Sequence, residues 1–239
     1  MSKKPISEEK RKVLKSLWFP LLFVSLLWII RIYESVFHTD LTYLGLVPLD
    51  FKGLRGIIFF PLLHAGWEHL ASNSIPVFVL TFALFYFYQP IAWKVFFLIY
   101  FIHGFWLWFF GRVAYHIGAS GLVYGLGSFL FVSGIIRKNI HLMAISLLVA
   151  FLYGSLVWGI LPYDVHISWE GHLSGMTAGI VLSFYYKNYG PPSNLGRWKY
   201  EDQEILDDFE DDEEDDDNGN AYWKLPPGDE NSDQKISEP

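Results

Sequence analysis

Three short segments of this chain combine polar side chains with glycine in patterns that could support chemistry. The first segment, residues 64–73, contains His69 and Asn73, which are four positions apart and share one face of a helix. Two neutral hydrogen-bond donors on one face can stabilise a negative charge that develops on a substrate oxygen. Taken alone, the pair is better explained as a polar link between helices, and His64, which precedes the helix, as a structural residue.

The second segment places Ser120 among glycines at the start of an apolar stretch. Small residues at a helix interface are the simpler explanation for such a serine. However, Gly118, Gly121 and Gly125 would let another helix backbone approach closely, and Tyr124 would face the same direction as Ser120. A nucleophile at a helix start also has its own backbone N–H free to donate.

The third segment begins with His172 and continues with Gly175 and Gly179, which repeat the GxxxG spacing of Gly121 and Gly125. Two helices that pack through glycine could bring His172 against the serine of the second segment. A Ser–His dyad needs that proximity, because the imidazole must accept the hydroxyl proton directly.

Composition restricts which fold can position these segments. Of 239 residues, 52% are hydrophobic and 19% aromatic, and cysteine does not occur. Residues 200–239 hold 17 of the 25 acidic residues and two of the 18 basic ones, a local charge of −15, so residues 1–199 carry +8. The apolar part has too few charges to cover a soluble globule. A secreted disulfide scaffold is excluded, and the acidic run disfavours nucleic-acid binding.

Six apolar stretches are candidates for membrane-spanning helices, which need about 20 residues. We therefore predict an all-α membrane protein, a six-transmembrane-helix bundle with spans Leu17–Ile32, Leu70–Tyr88, Val95–Phe110, Gly118–Ile136, Leu142–Leu161 and His172–Tyr186. The first stretch follows a lysine-rich N-terminus, as in a signal peptide. It is interpreted as a retained span because no small-residue cleavage site follows.

Basic residues in the short connections orient the bundle. Lys94, Arg137, Lys138 and Lys187 share the side of the lysine-rich N-terminus, which the positive-inside rule places in the cytoplasm. Both termini are thus expected in the cytoplasm, with the three polar segments at the outer ends of spans two, four and six. The predicted domains are a basic N-terminus (1–16), the membrane domain (17–187) and a cytoplasmic tail (188–239) that is acidic and disordered from about residue 201. The connection 34–63 is apolar enough to lie partly in the outer interface.

In this order, the three segments resemble the rhomboid family of intramembrane serine proteases. The matching motifs are His69 followed four residues later by Asn73, the Gly-x-Ser-Gly of residues 118–121 with Tyr124 after it, and the His-x-x-Gly-x-x-x-Gly of residues 172–179. Each motif is loose, but the ordered set is specific, and the resemblance covers about residues 17–187.

The resemblance implies a bundle with a water-filled cavity open to the outer side. Ser120 would be the nucleophile and His172 the general base and acid, without a carboxylate as third member. His69, Asn73 and the Ser120 N–H would form the oxyanion hole, and Tyr124 would pack on the His172 ring. The implied activity is that of a serine endopeptidase that cuts transmembrane substrates near the outer membrane face, without metal or cofactor.

Two other classes of protein stay open. A catalytically inactive rhomboid-like protein would bind transmembrane helices without cutting them, although such proteins usually lack the serine or the histidine. A metal enzyme or channel could use His64, His69, His166 and His172, although no His-Glu-x-x-His motif occurs. The expected partners are single-span transmembrane substrates, the lipid bilayer and an unidentified cytoplasmic partner of the tail. The expected location is a bacterial plasma membrane.

Overall fold

The computed structural model describes residues 7–152, 159–162 and 167–194, and these residues form an α-helical protein. Its long helices are α1 (Glu8–Phe37), α2 (Trp67–Phe87), α3 (Ala92–Phe110), α4 (Ser120–Ile136), α5 (Ile140–Leu152) and α6 (Trp169–Tyr185). The connection between α1 and α2 contains one α-helical turn, Gly56–Phe59, and three 3-10 turns, Thr42–Leu44, Phe51–Arg55 and Phe60–Leu62. Among the described residues, β-type pairing is limited to one isolated bridge between Leu46 and His116. The predicted all-α class is confirmed.

Every predicted span overlaps one long helix. By length and composition, α1, α2 and α3 are able to cross a membrane, whereas α4 and residues Ile140–Phe151 are shorter apolar helices. The predicted fifth span, Leu142–Leu161, coincides with α5 only in part, because residues 153–158 lie outside the described residues. Six membrane crossings therefore stay a prediction for α4, α5 and α6.

Five of the six long helices begin before the spans predicted for them, and α4 is the exception. Helices α2 and α6 start at Trp67 and Trp169, three residues ahead of the predicted starts at Leu70 and His172. Hydropathy identifies only the part of a helix that lies in the hydrocarbon layer. The backbone hydrogen bonds of the helix continue beyond that part, through polar residues nearer to water. As a consequence, the polar residues at both starts belong to regular helix.

Aromatic side chains join the first three helices. The ring of Phe19 in α1 lies 4.9 Å from that of Phe85 in α2, and 4.4 and 4.9 Å from those of Trp93 and Phe96 in α3. Helix α3 also carries a row of exposed phenylalanines at every fourth position, Phe97, Phe101, Phe105 and Phe109. Such a row is unfavourable in water and suits contact with lipid chains.

The connection between α1 and α2 is only partly buried. Leu46 and Phe60 pack with Leu107 in a small cluster, whereas Phe51 is 82% exposed. The position of this connection in the membrane interface stays a prediction. Residues 1–6 and 195–239 lie outside the described residues, so the disorder of the acidic tail and the domain boundaries also stay predictions.

Candidate active site

Helices α4 and α6 contact each other through glycine, as their matching GxxxG spacing predicts. A Cβ atom on Gly175 would overlap the carbonyl oxygen of Gly121, and a Cβ on Gly179 would overlap that of Gly125. Helix backbones approach this closely only where neither carries a side chain. The contact aligns the first turns of α4 and α6, which carry the two residues of the predicted dyad.

Ser120 is the first residue of α4, so its backbone N–H has no acceptor within the helix. The chain enters α4 through Gly118, whose φ of +116° favours glycine. A Cβ on Gly118 would lie 2.8 Å from Cε1 and 2.9 Å from Nε2 of His69. Glycine at this position therefore sets the backbone turn before Ser120 and leaves room for the His69 ring. It also explains why α4 begins at Ser120 and not at Gly118, where the predicted span began.

His172, which is buried in the first turn of α6, forms two hydrogen bonds through its ring. Its Nε2 lies 2.7 Å from Ser120 Oγ, and its Nδ1 lies 2.7 Å from the carbonyl oxygen of Gly159. A carbonyl oxygen only accepts hydrogen bonds, so the network assigns the proton of the neutral ring to Nδ1. The Nε2 lone pair then accepts the Ser120 hydroxyl proton, which is the arrangement that general-base activation requires.

Tyr124 lies one turn after Ser120 in α4 and stacks on the His172 ring. The two ring centroids are 4.3 Å apart, with 16° between the ring planes. Stacking from one side and the two hydrogen bonds in the ring plane together fix the orientation of the imidazole. The contact between Tyr124 and His172 is the one that the family resemblance implies.

His69 and Asn73, in α2, face the same cavity as the Ser–His pair. The cavity has a volume of about 620 Å³, and its lining includes Ser120, His172, His69, Asn73 and Tyr124. Asn73 Nδ2 donates to the carbonyl oxygen of His69 at 2.8 Å. An amide nitrogen carries two hydrogens, so one N–H remains for a ligand in the cavity. The structure thus brings the three segments singled out in the sequence to one site.

The histidines of the metal alternative are only partly assembled. His64 is buried, and its ring centroid lies 5.0 Å from that of His69. Within the described part of the chain, no group of three histidine, cysteine or acidic residues is arranged to hold a metal ion. His166 lies outside the described residues.

Sequence reasoning missed the Gly159 carbonyl that orients His172. A backbone oxygen has no side-chain type to recognise it, and Gly159 lies 13 residues before its partner in a connection without a motif. A carboxylate orients the histidine of the soluble serine proteases. Here a neutral carbonyl occupies that position, which avoids an additional charge in a buried site.

The helices and the site together define a class of protein. Long apolar helices, one of which carries a row of exposed phenylalanines, make the chain an integral membrane protein. Its cavity contains a serine hydroxyl, a buried histidine that accepts from it, and polar groups on a third helix.

A protein-family model described as the Rhomboid domain matches residues 52–189, and the chain belongs to the rhomboid family. Members of this family are generally intramembrane serine proteases. The chain is 37% identical over 180 residues to uncharacterized proteins of Mycobacterium tuberculosis and Mycobacterium bovis, which covers 69% of this chain and 72% of each relative. It is 32% identical over 181 residues to an uncharacterized protein of Mycobacterium leprae, covering 69% of this chain and 68% of the relative.

Proposed function

We propose that this protein is an intramembrane serine endopeptidase that hydrolyses peptide bonds of transmembrane substrates near the outer membrane face. The observation that carries the proposal is the 2.7 Å contact between His172 Nε2 and Ser120 Oγ, combined with the bond from His172 Nδ1 to Gly159. A structural serine needs only some acceptor for its hydroxyl. Ser120 instead faces a histidine whose Nε2 lone pair is free to accept the hydroxyl proton, because the ring proton lies on Nδ1. Both residues line an open cavity.

The reaction begins with attack of Ser120 Oγ on the carbonyl carbon of the scissile bond. The hydroxyl proton passes to His172 Nε2, and the imidazolium then protonates the leaving amine, so the C–N bond breaks and an acyl-enzyme forms. A water molecule in the cavity repeats the sequence: His172 takes its proton, the water oxygen attacks the ester, and Ser120 regains the proton. The Gly159 carbonyl and the Tyr124 ring keep His172 oriented through both steps.

The negative charge of the tetrahedral intermediate needs donors that are already in place. The Ser120 N–H, His69 and the second amide hydrogen of Asn73 are the groups proposed for this role. They lie on two helices and do not depend on a mobile loop, so they need little reorganisation as the charge develops. The proximity of the His69 ring to Gly118, two residues before Ser120, supports its assignment.

The proposed setting is a six-helix bundle in a bacterial plasma membrane with both termini in the cytoplasm. The basic residues of the connections support this orientation. The substrates would be single-span proteins whose outer helix ends unwind to expose a carbonyl, and the acidic tail would have a cytoplasmic partner. The bacterial relatives support the choice of membrane.

The test is hydrolysis of a fluorogenic single-span substrate by the purified full chain in detergent, with Ser120→Ala as the matched control. Cleavage by the wild type that is lost in Ser120→Ala, blocked by a serine-directed phosphonate or isocoumarin, and unaffected by chelators is the expected result. Loss of activity with a chelator would instead favour a metal enzyme.

The alternative is a catalytically inactive rhomboid-like protein that binds transmembrane helices. Under this alternative, the presence of both Ser120 and His172 has no catalytic meaning. The protein would then bind the substrate without cleaving it, and Ser120 would not react with the phosphonate. Co-purification of an intact single-span substrate with the wild type and with Ser120→Ala alike would support this alternative.

A further inference from the structure

A second Ser–His pair lies in the same cavity as Ser120 and His172. His116 Nδ1 is 2.6 Å from Ser168 Oγ, and both residues belong to the cavity lining. His116 lies in the connection between α3 and α4, and Ser168 immediately precedes α6. The cavity therefore contains two hydroxyl–imidazole pairs with different surroundings.

The partners of the second pair fix the direction of its hydrogen bonds. His116 Nε2 lies 3.0 Å from the carbonyl oxygen of Arg112, so the neutral ring carries its proton on Nε2 and presents a lone pair at Nδ1. Ser168 then donates its hydroxyl to His116 Nδ1. Burial is the largest influence on the His116 pKa and lowers it. The hydrogen bond to the Arg112 carbonyl and the charge of Glu170 oppose that shift, and the charge of Arg112 adds to it, so the net effect favours the neutral ring.

The Ser168 oxygen also caps the helix that carries His172. Ser168 Oγ accepts from the Gly171 N–H at 3.3 Å, and the Ser168 carbonyl oxygen accepts from the His172 N–H at 3.1 Å. Both bonds hold the first turn of α6. The hydroxyl of Ser168 is thus engaged as donor and acceptor, whereas the described residues give Ser120 Oγ only His172 as a partner.

His116 and the segment before it are held in place by further contacts. His116 forms both hydrogen bonds of the isolated bridge with Leu46, at 2.8 and 3.0 Å. Arg112 Nη2 donates to the Ile167 carbonyl at 2.8 Å, and Arg112 Nε lies 3.7 Å from Glu170 Oε1. The connection before Ser120 is therefore tied directly to the start of α6.

We propose that His116 and Ser168 are positioning residues for the dyad: their hydrogen bond fixes the first turn of α6 so that His172 stays within hydrogen-bonding distance of Ser120. The proposal rests on the proposed peptidase function. Without this bond, the α6 start would lose a side-chain link to the connection before Ser120, and the Arg112 contacts would be the described side-chain links that remain between the two. A displacement of about 1 Å in a reacting group costs on the order of 100-fold in rate.

The experiment compares Ser168→Ala and His116→Phe with the wild type, using a fluorogenic single-span substrate and a fluorophosphonate that labels Ser120. Both variants are expected to lower kcat by about 10-fold to 100-fold, with KM changed less than about threefold, and to slow phosphonate labelling in parallel. Labelling reports the reactivity of Ser120 without a transmembrane substrate, so it separates a positioning role from a role in substrate binding.

Two further variants separate positioning from folding. Ser168→Asn keeps an acceptor for the Gly171 N–H and supplies an N–H donor for His116, so it should restore most of the lost rate. Ser174→Ala is the matched control, because Ser174 lies in α6 and, among the described residues, its hydroxyl bonds to the Gly171 carbonyl of the same helix, at 2.9 Å. It should leave kcat and labelling unchanged.

Wild-type kinetics in Ser168→Ala and His116→Phe, in a protein whose cleavage requires Ser120, would overturn the positioning role and leave the peptidase intact. Equal losses in Ser174→Ala, or losses matched by a collapse of the thermal midpoint without rescue by Ser168→Asn, would also overturn it. A wild type that neither cleaves nor reacts with the phosphonate would overturn the proposed function and this role together.

Discussion

Gly175 of α6 lies directly against the carbonyl oxygen of Gly121 in α4, with no space for a Cβ atom between them. Gly121 follows Ser120, and Gly175 lies three residues after His172. The distance between the proposed nucleophile and its base is therefore set by a backbone contact within one helical turn of both. Such a contact is rigid, because neither side has a rotamer to adjust.

Replacing Gly175 with alanine should separate the two helices and disable the dyad. The new Cβ would meet backbone, which cannot rotate away, so we expect the free energy of unfolding to fall by about 1–3 kcal/mol. The rates of substrate cleavage and phosphonate labelling should fall even at temperatures at which the variant is still folded. Thermal midpoints in detergent and labelling rates at a temperature well below both midpoints measure the two effects separately.

Gly127→Ala is the matched control for this substitution. Gly127 lies in α4, and a Cβ there would meet only Leu80 Cδ1, at 3.7 Å, which is an ordinary contact. Alanine is a better helix former than glycine by about 1 kcal/mol, so this variant should be as stable as the wild type or more stable, and fully active. An active, stable Gly175→Ala protein would contradict the view that the glycine contact sets the dyad distance.

Ser120→Ala and His172→Ala should each abolish cleavage and leave expression and thermal midpoint near those of the wild type. The two residues act as one unit, so losing either should cost as much as losing both. Initial rates of the single variants and the double variant test this equality. Activity within about tenfold of the wild type in any of the three would exclude the dyad.

Asn73→Ala should lower kcat more than it raises KM, because an oxyanion donor acts only when charge develops on the substrate. Loss of one such donor typically costs about 2.7–4 kcal/mol. We expect less here, since His69 and the Ser120 N–H would remain. Within the described residues, the side-chain hydrogen bond of Asn73 runs to the His69 carbonyl oxygen in the same helix, so its loss removes no bond between described helices.

The thermal midpoint of Asn73→Ala distinguishes this role from a structural one. A stable and slow variant is the expected result. A strongly destabilised variant whose losses are spread over kcat and KM would instead make Asn73 a packing residue, and His69→Ala would then be the remaining test of the oxyanion site.

Deleting residues 201–239 should leave turnover in detergent within about twofold of the wild type. The deleted segment is acidic, and the proposed orientation puts it on the opposite side of the membrane from the dyad. Turnover and thermal midpoint of the shortened chain provide the comparison. A well-folded shortened chain with collapsed turnover would make the tail part of the mechanism.

The acidic tail and the start of α6 differ in how far the sequence can predict them. Composition alone predicts the acidic tail as a separate segment, because charge and hydropathy change abruptly near residue 200. It does not predict the start of α6, because hydropathy places that start at His172, whereas the Ser168 cap makes the helix begin at Trp169. A cap is a local hydrogen bond, which average hydropathy does not detect.

The sequence by itself determined the helical class, the apolar stretches and the candidate residues, because each depends on residue type and spacing along one chain. Glycines four residues apart also predicted that α4 and α6 would touch, and with them Ser120 and His172. Only the tertiary structure decided the tautomer of His172 and the hydrogen bond between His116 and Ser168. Both depend on backbone carbonyls, those of Gly159 and Arg112. Every residue has a carbonyl group, so folding alone selects which of them meets an imidazole.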